Sequence, residues 1–159
     1  TLRLTMLRNC IFADHYSNRP AADFSYTDEG LQRFEYAIYP HKGAAEASEV
    51  QQEADKLNQK LVAVPVGYHK GALPRMKSFI SVNKPNISLS ALKFCEDGSG
   101  DVIIRLCETA GKPVKAAIVC DAANAGFYAD FGRQEVKTFR IDKDGFVKET
   151  DFLEGVTEE

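Results

Sequence analysis

Few residues in this 159-residue chain stand in a pattern that could do chemistry. The histidines His15, His41 and His69 are far apart, and none falls in H-x-H, H-x-x-x-H or H-E-x-x-H spacing. A metal site needs several ligands converging in space, so this spacing points to no metal and no paired acid–base role. His41 and His69 sit instead in turn-like strings, Pro40-His41-Lys42-Gly43 and Gly67-Tyr68-His69-Lys70-Gly71. The cysteines Cys10, Cys95, Cys107 and Cys120 form no C-x-x-C pair. Three of them lie in apolar runs, where a thiol behaves as a small buried hydrophobe. Asp142-Lys143-Asp144-Gly145 opens like an EF-hand loop, but Val147 and Lys148 and the strand-like flanks deny it the later ligands and helices. It reads as a hairpin turn. Ser78 and Ser81 belong to an alternating segment without a G-x-S-x-G elbow, and Gly98-Ser99-Gly100 precedes no helix. Paired carboxylates are trivially available among 23 acidic residues, yet none stands in a context that marks a tuned acid. A stacking platform for sugars would draw on Tyr16, Tyr26, Tyr39, Tyr68 and Tyr128, because the chain has no tryptophan. The candidate catalytic set is therefore empty.

The elements that would position any site read mostly as strands. Short runs of β-branched, aromatic and apolar residues at 1–8, 33–39, 61–66, 78–82, 87–95, 102–108, 113–121, 135–141 and 146–153 are separated by turn chemistry. Three turns are expected to close hairpins: Glu96 to Asp101, Ala110-Gly111-Lys112-Pro113, and Asp142 to Gly145. They imply an antiparallel meander. One helix is expected near 45–59, where Ala47, Val50, Ala54, Leu57 and Leu61 share a stripe. The polar segment 13–30 reads as a long loop, a length often tied to function. The fold class is mostly β: an antiparallel β-sandwich with one inserted helix, a single domain over 1–159.

Composition narrows the partners. A net charge of −3 argues against nucleic acid, and no apolar run is long enough for a membrane-spanning helix. The even number of cysteines allows disulfides, but nothing else suggests secretion, since a triplet such as Asn86-Ile87-Ser88 is common by chance, and a reducing cytoplasm is expected. The strand-like opening, with neither an initiator Met nor a signal-peptide pattern, suggests a piece of something longer.

Ordered strings carry a resemblance. Leu2-Arg3-Leu4-Thr5-Met6-Leu7-Arg8, followed by Phe12-Ala13-Asp14, resembles the L-R-L-T-L-L-R segment of family 38 glycoside hydrolases, the α-mannosidases of the bacterial and cytosolic type. The stretch from Thr27 to Gly43 is similar to the family's D-x-G-x-x-x-F-x-Y-A-L-x-P-H-x-G. Leu57 to Leu61 resembles L-N-x-P-L, with Lys60 where proline is usual. Ala91 to Asp97, Val102 to Glu108 and Glu135 to Arg140 resemble A-L-K-x-A-E-D, V-x-R-L-x-E and E-I-K-T-F-R in the same order. The resemblance implies a C-terminal β-sandwich of a retaining α-mannosidase whose zinc and nucleophilic aspartate lie upstream, outside this chain. It implies no catalytic residue and no cofactor here. The implied partners are the enzyme's own catalytic domain and, at the domain edge, the mannoside; an oligomer is compatible with this. The family holds substrate with an arginine at the end of a β strand, and Arg8 is the position most similar to it. The alternative is a free-standing β-sandwich module that binds carbohydrate or protein.

Overall fold

The computed structural model describes residues 3–10, 26–44 and 48–155, and the chain divides into two compact units, 1–38 and 39–159. The expected loop residues 13–25, with His15 and Tyr16, and the expected first helical turn 45–47 lie outside the described residues.

In the larger unit the helix α1 spans Ser48–Asn58. Glu49 in its first turn and Lys56 in its last oppose the helix dipole favourably, and the Asn58 amide donates to the Ala54 carbonyl at 2.9 Å. Seven strands follow: β1 Ile80–Val82, β2 Ile87–Phe94, β3 Val102–Glu108, β4 Val114–Cys120, β5 Ala125–Phe131, β6 Val136–Ile141 and β7 Val147–Thr150. They form two antiparallel sheets, β1-β4-β5 and β2-β3-β6-β7. The fold is mostly β with one short helix, as the sequence predicts.

The period of two explains the core. Ile104 and Leu106 of β3, Phe139 and Ile141 of β6, and Ile87 of β2 face Ala116, Ile118 and Cys120 of β4 and Ala125, Ala129 and Phe131 of β5. Each sheet alone would leave this face wet, and stacking the two removes it from water. Phe139 is the keystone. Its ring meets Phe127 at 4.8 Å and Phe131 at 6.4 Å, both inclined, as aromatic quadrupoles prefer.

Several sequence expectations need correction. Ala110 to Pro113 closes no hairpin, because β3 pairs with β2 and β6 while β4 belongs to the other sheet. The Gly-Lys-Pro string serves a sheet-to-sheet crossing. The strands thus form three hairpins, β2–β3 at Glu96–Asp101, β4–β5 at Asp121–Asn124 and β6–β7 at Asp142–Gly145, joined by crossings between the sheets. The strand β5 went unpredicted, since Gly126, Asp130 and its alternating alanines dilute the β signal. It pairs with β4 across a 3-10 turn, Asp121–Ala123, which ends on left-handed Asn124. The expected strands 1–8, 33–39 and 61–66 are not strands in their described parts. Alternation suits a residue run to a sheet face, but a strand also needs a neighbour's backbone. None is supplied among the described residues.

The side chains of these unpaired segments show the consequence. Leu61, Val62, Val64, Val66 and Tyr68 are 70–102% exposed, as is Met76 further on. In the smaller unit Leu31 is exposed as well, and Thr27 donates its N–H to the Cys10 carbonyl at 2.8 Å.

Candidate functional site

Among the described residues of the larger unit, a cleft of about 340 Å³ opens where α1 runs past β1 and β2. Sequence dictates its construction. Gln51, Asp55 and Gln59 recur at four-residue spacing, which stacks them along one helix face. Gln51 donates to Asp55 Oδ1 at 2.8 Å, and Ser88 of β2 donates to Asp55 Oδ2 at 3.0 Å. Gln52 reaches the Pro85 carbonyl at 3.1 Å. The Ser88 and Pro85 bonds fasten the helix to the edge strand β2 and to the turn before it. Ser81, with Ile80 and Val82 of β1, and Leu89 with Lys84 beside the β1–β2 turn complete the lining. The result is an aliphatic surface rimmed by amides, hydroxyls, one carboxylate and one ammonium.

A buried carboxylate sits elsewhere. Glu108, only 1% exposed at the end of β3, accepts from the Asn86 amide and the Ala110 N–H at 2.8 Å each. Its other oxygen accepts from the Lys112 N–H at 3.1 Å and the Gln134 N–H at 2.9 Å. Burial alone pushes its pKa up, but the donors of Gln134, Asn86, Ala110 and Lys112 outweigh that and hold it below the ordinary range. Every strong acceptor direction is taken, so Glu108 ties three sheet-to-sheet crossings together, β1–β2 through Asn86, β3–β4 through Ala110 and Lys112 and β5–β6 through Gln134, and has nothing left for acid–base work. The expectation that no acid stands in a special context missed this residue. Its position closing the apolar run Val102–Cys107 was the available signal. The same bond occupies Asn86, the residue of the glycosylation triplet.

The outer face of the four-stranded sheet carries a network of paired charges. Arg140 donates through Nε to Asp101 at 2.6 Å and through Nη2 to Ser99 at 3.2 Å, with Asp97 at 2.8 Å. The Ser99 hydroxyl and N–H, with Arg140 adding, hold the Asp97 carboxyl far below the usual range. Lys93 pairs with Glu96 and, at 2.6 Å, with buried Glu154. Arg105 lies 3.9 Å from the Phe152 ring centroid and donates to the Phe152 carbonyl at 3.0 Å. Lys93, Arg105 and Arg140 each have a partner, and Glu154 and the carbonyls of Phe152 and Glu154 take part, so these residues form a latch for residues 151–155. They are not an open basic patch.

The other sequence-selected residues do not converge. Arg8 is exposed in the smaller unit, outside any strand. His41 stacks on Tyr39 at 6.0 Å, and His69 bonds the carbonyl of Gly67 at 2.9 Å. Among the described residues no group of three His, Cys, Asp or Glu could hold a metal, and no helix is long and apolar enough to cross a membrane. All four cysteines are free, with Cys95 and Cys120 buried. Burial, with Glu108 adding, pushes the Cys107 thiol up, which disfavours its reactive thiolate form. Tyr68 and Tyr128 are exposed but share no ring contact among the described residues.

Comparison with known proteins gives two similarities. The chain is 31% identical to Alpha-mannosidase 2C1 of Homo sapiens over 127 residues, 72% of this chain and 12% of that protein. It is 32% identical to Alpha-mannosidase G of Dictyostelium discoideum over 85 residues, 53% of this chain and 8% of that protein. The chain thus spans about a tenth of the length of these relatives. No family model matches it, and no solved structure matches it.

Proposed function

We propose that this chain is the C-terminal β-rich part of a family 38 α-mannosidase, a retaining glycoside hydrolase that removes terminal α-mannosides. Its role there is structural and substrate-flanking. The observation that carries this reading is the similarity over 127 residues to a protein named as an α-mannosidase. The exposed segment Leu61–Tyr68 supports it. Both of its faces are apolar, which is the pattern of a strand buried on two sides, yet here it is wet. Under this proposal the enzyme's own catalytic domain covers it. The zinc of the parent enzyme belongs to that domain, and the described residues offer no cluster for it. Arg8 is the residue of this chain that meets the mannoside, by the resemblance of its segment. The four free cysteines favour a reducing cytoplasmic setting.

The test is the mass of the natural polypeptide. Immunoblotting the source cells with an antibody to this chain should reveal a protein several times larger than 17.6 kDa that turns over an aryl α-mannoside. The purified 159-residue chain should not turn it over. A natural product of about 17.6 kDa, free of any larger species, would favour the free-standing binding module instead.

A further inference from the structure

We infer that the cleft between α1 and the β1–β2 edge is a binding site for a neutral saccharide ring. The inference goes beyond the α-mannosidase reading and does not rest on it. It follows from what the lining can and cannot satisfy. A phosphate or sulfate would need several cations or convergent backbone N–H groups, and Lys84 is the single cation of the lining. A metal ion would need several hard oxygen ligands, and Asp55 is the single carboxylate. An apolar ligand would cover the Gln59 amide and the Ser81 hydroxyl without offering them a hydrogen-bond partner, which costs free energy.

A pyranose fits each part. Its hydroxyls both donate and accept, as do side-chain amides, so Gln51 and Gln59 can engage vicinal hydroxyls whichever way those are oriented. Asp55 is already held by Gln51 and Ser88 and therefore presents its remaining lone pairs in a fixed direction. That arrangement lowers the ordering cost of binding. The C–H face of the ring can lie on Ile80, Val82 and Leu89, and a cleft of about 340 Å³ is of monosaccharide-to-disaccharide scale. No aromatic ring lines the cleft, so affinity rests on hydrogen bonds and is modest.

The test is an amide-resolved NMR titration of the 159-residue chain with methyl α-D-mannopyranoside, repeated with methyl α-D-glucopyranoside and with inorganic phosphate. Saturable shifts confined to residues 51–59 and 80–89 are expected for at least one glycoside and not for phosphate. Gln59→Ala, at an exposed position past the helix end, should weaken that binding by at least about fivefold with an unchanged melting temperature. Asp55→Asn, which keeps the Ser88 contact possible, should weaken it as well. The inference is overturned if neither glycoside gives saturable shifts, if the shifts fall outside the cleft, if phosphate produces the same shifts, or if both variants bind like the parent. Absent aryl α-mannoside turnover in the natural polypeptide would count against the α-mannosidase reading alone, leaving this site intact.

Discussion

Replacing Glu108 by glutamine should destabilise the sandwich far more than its conservative shape suggests. The carboxylate receives four donors, two on each oxygen. A glutamine can present its oxygen to one pair only, so its NH2 group then faces two N–H donors. Two hydrogen bonds to a charged acceptor are lost, each worth about 1.5–3 kcal/mol, and local relaxation recovers part of this. The expected loss is about 3–5 kcal/mol, a large share of the roughly 5–15 kcal/mol that holds a domain folded. Urea unfolding followed by far-UV circular dichroism measures it directly. In a chain of this length it corresponds to a fall in Tm of about 2–4 °C per kcal/mol. The pH dependence supplies a second readout. The folded carboxyl binds its proton less readily than the unfolded one, whose pKa is about 4.3, so its contribution is complete above that pH and lost as pH falls through the folded value. Glu108→Gln should therefore flatten the acid side of the stability profile while lowering stability at neutral pH. A variant within about 0.5 kcal/mol of the parent at neutral pH, with an unchanged acid limb, would refute the assignment of Glu108 as the tie between the crossings.

Four further outcomes are expected. Phe152→Ala should cost about 1 kcal/mol by removing the ring beneath Arg105, read as earlier proteolysis of residues 151–155 at unchanged core stability. Gly145→Ala should destabilise by about 1–2 kcal/mol in urea unfolding, since its φ is +85° and an added Cβ would sit 3.1 Å from the Asn124 carbonyl oxygen. Val62→Ser with Val64→Ser should raise the solubility of the isolated chain and leave its Tm unchanged, because both side chains are exposed. If the chain belongs to an α-mannosidase as proposed, Arg8→Ala in that full-length protein should lower kcat/KM by about ten- to a hundredfold without lowering Tm, and an equal fall in both would make Arg8 structural.

The legibility of the sequence followed the locality of the physics. The helix α1 was visible because Val50, Ala54 and Leu57 recur at helical spacing with no glycine or proline among them. The turns at Glu96–Asp101 and Asp142–Gly145 were visible because glycine and aspartate supply the backbone their loops require. Crossing and hairpin could not be told apart at Ala110–Pro113, since both need a chain reversal. What separates them is which sheet the next strand joins, decided by Ala116 and Ile118 meeting Phe139 across the core. The cleft was illegible for the same reason. Gln51, Asp55 and Gln59 look like a solvated helix face until Ser88, 33 residues after Asp55, turns out to bond it.

That division decides where each experiment must be done. Strands β1 to β7 close a core whose buried side chains come from both sheets, so Glu108, Gly145 and the cleft owe their geometry to residues present in this chain. Their variants can be judged in the 159-residue polypeptide. Arg8 is different in kind. It lies in the unit 1–38, outside any described strand, and its flanking Leu4 and Leu7 are 65% and 44% exposed. An alternating apolar segment gains a fixed backbone only when another backbone and another apolar surface meet it. A substrate arginine is useful only if its fork of donors is fixed within a fraction of an ångström of the sugar hydroxyls. Adding mannoside to the isolated chain should therefore leave the Arg8 amide and guanidinium resonances unmoved, whatever the cleft does. Under the proposed function, the same side chain should become protected from dicarbonyl modification by mannoside in the full-length protein. Protection of Arg8 by mannoside in the isolated chain would refute this, because it would mean that residues within 1–159 suffice to build the arginine's site.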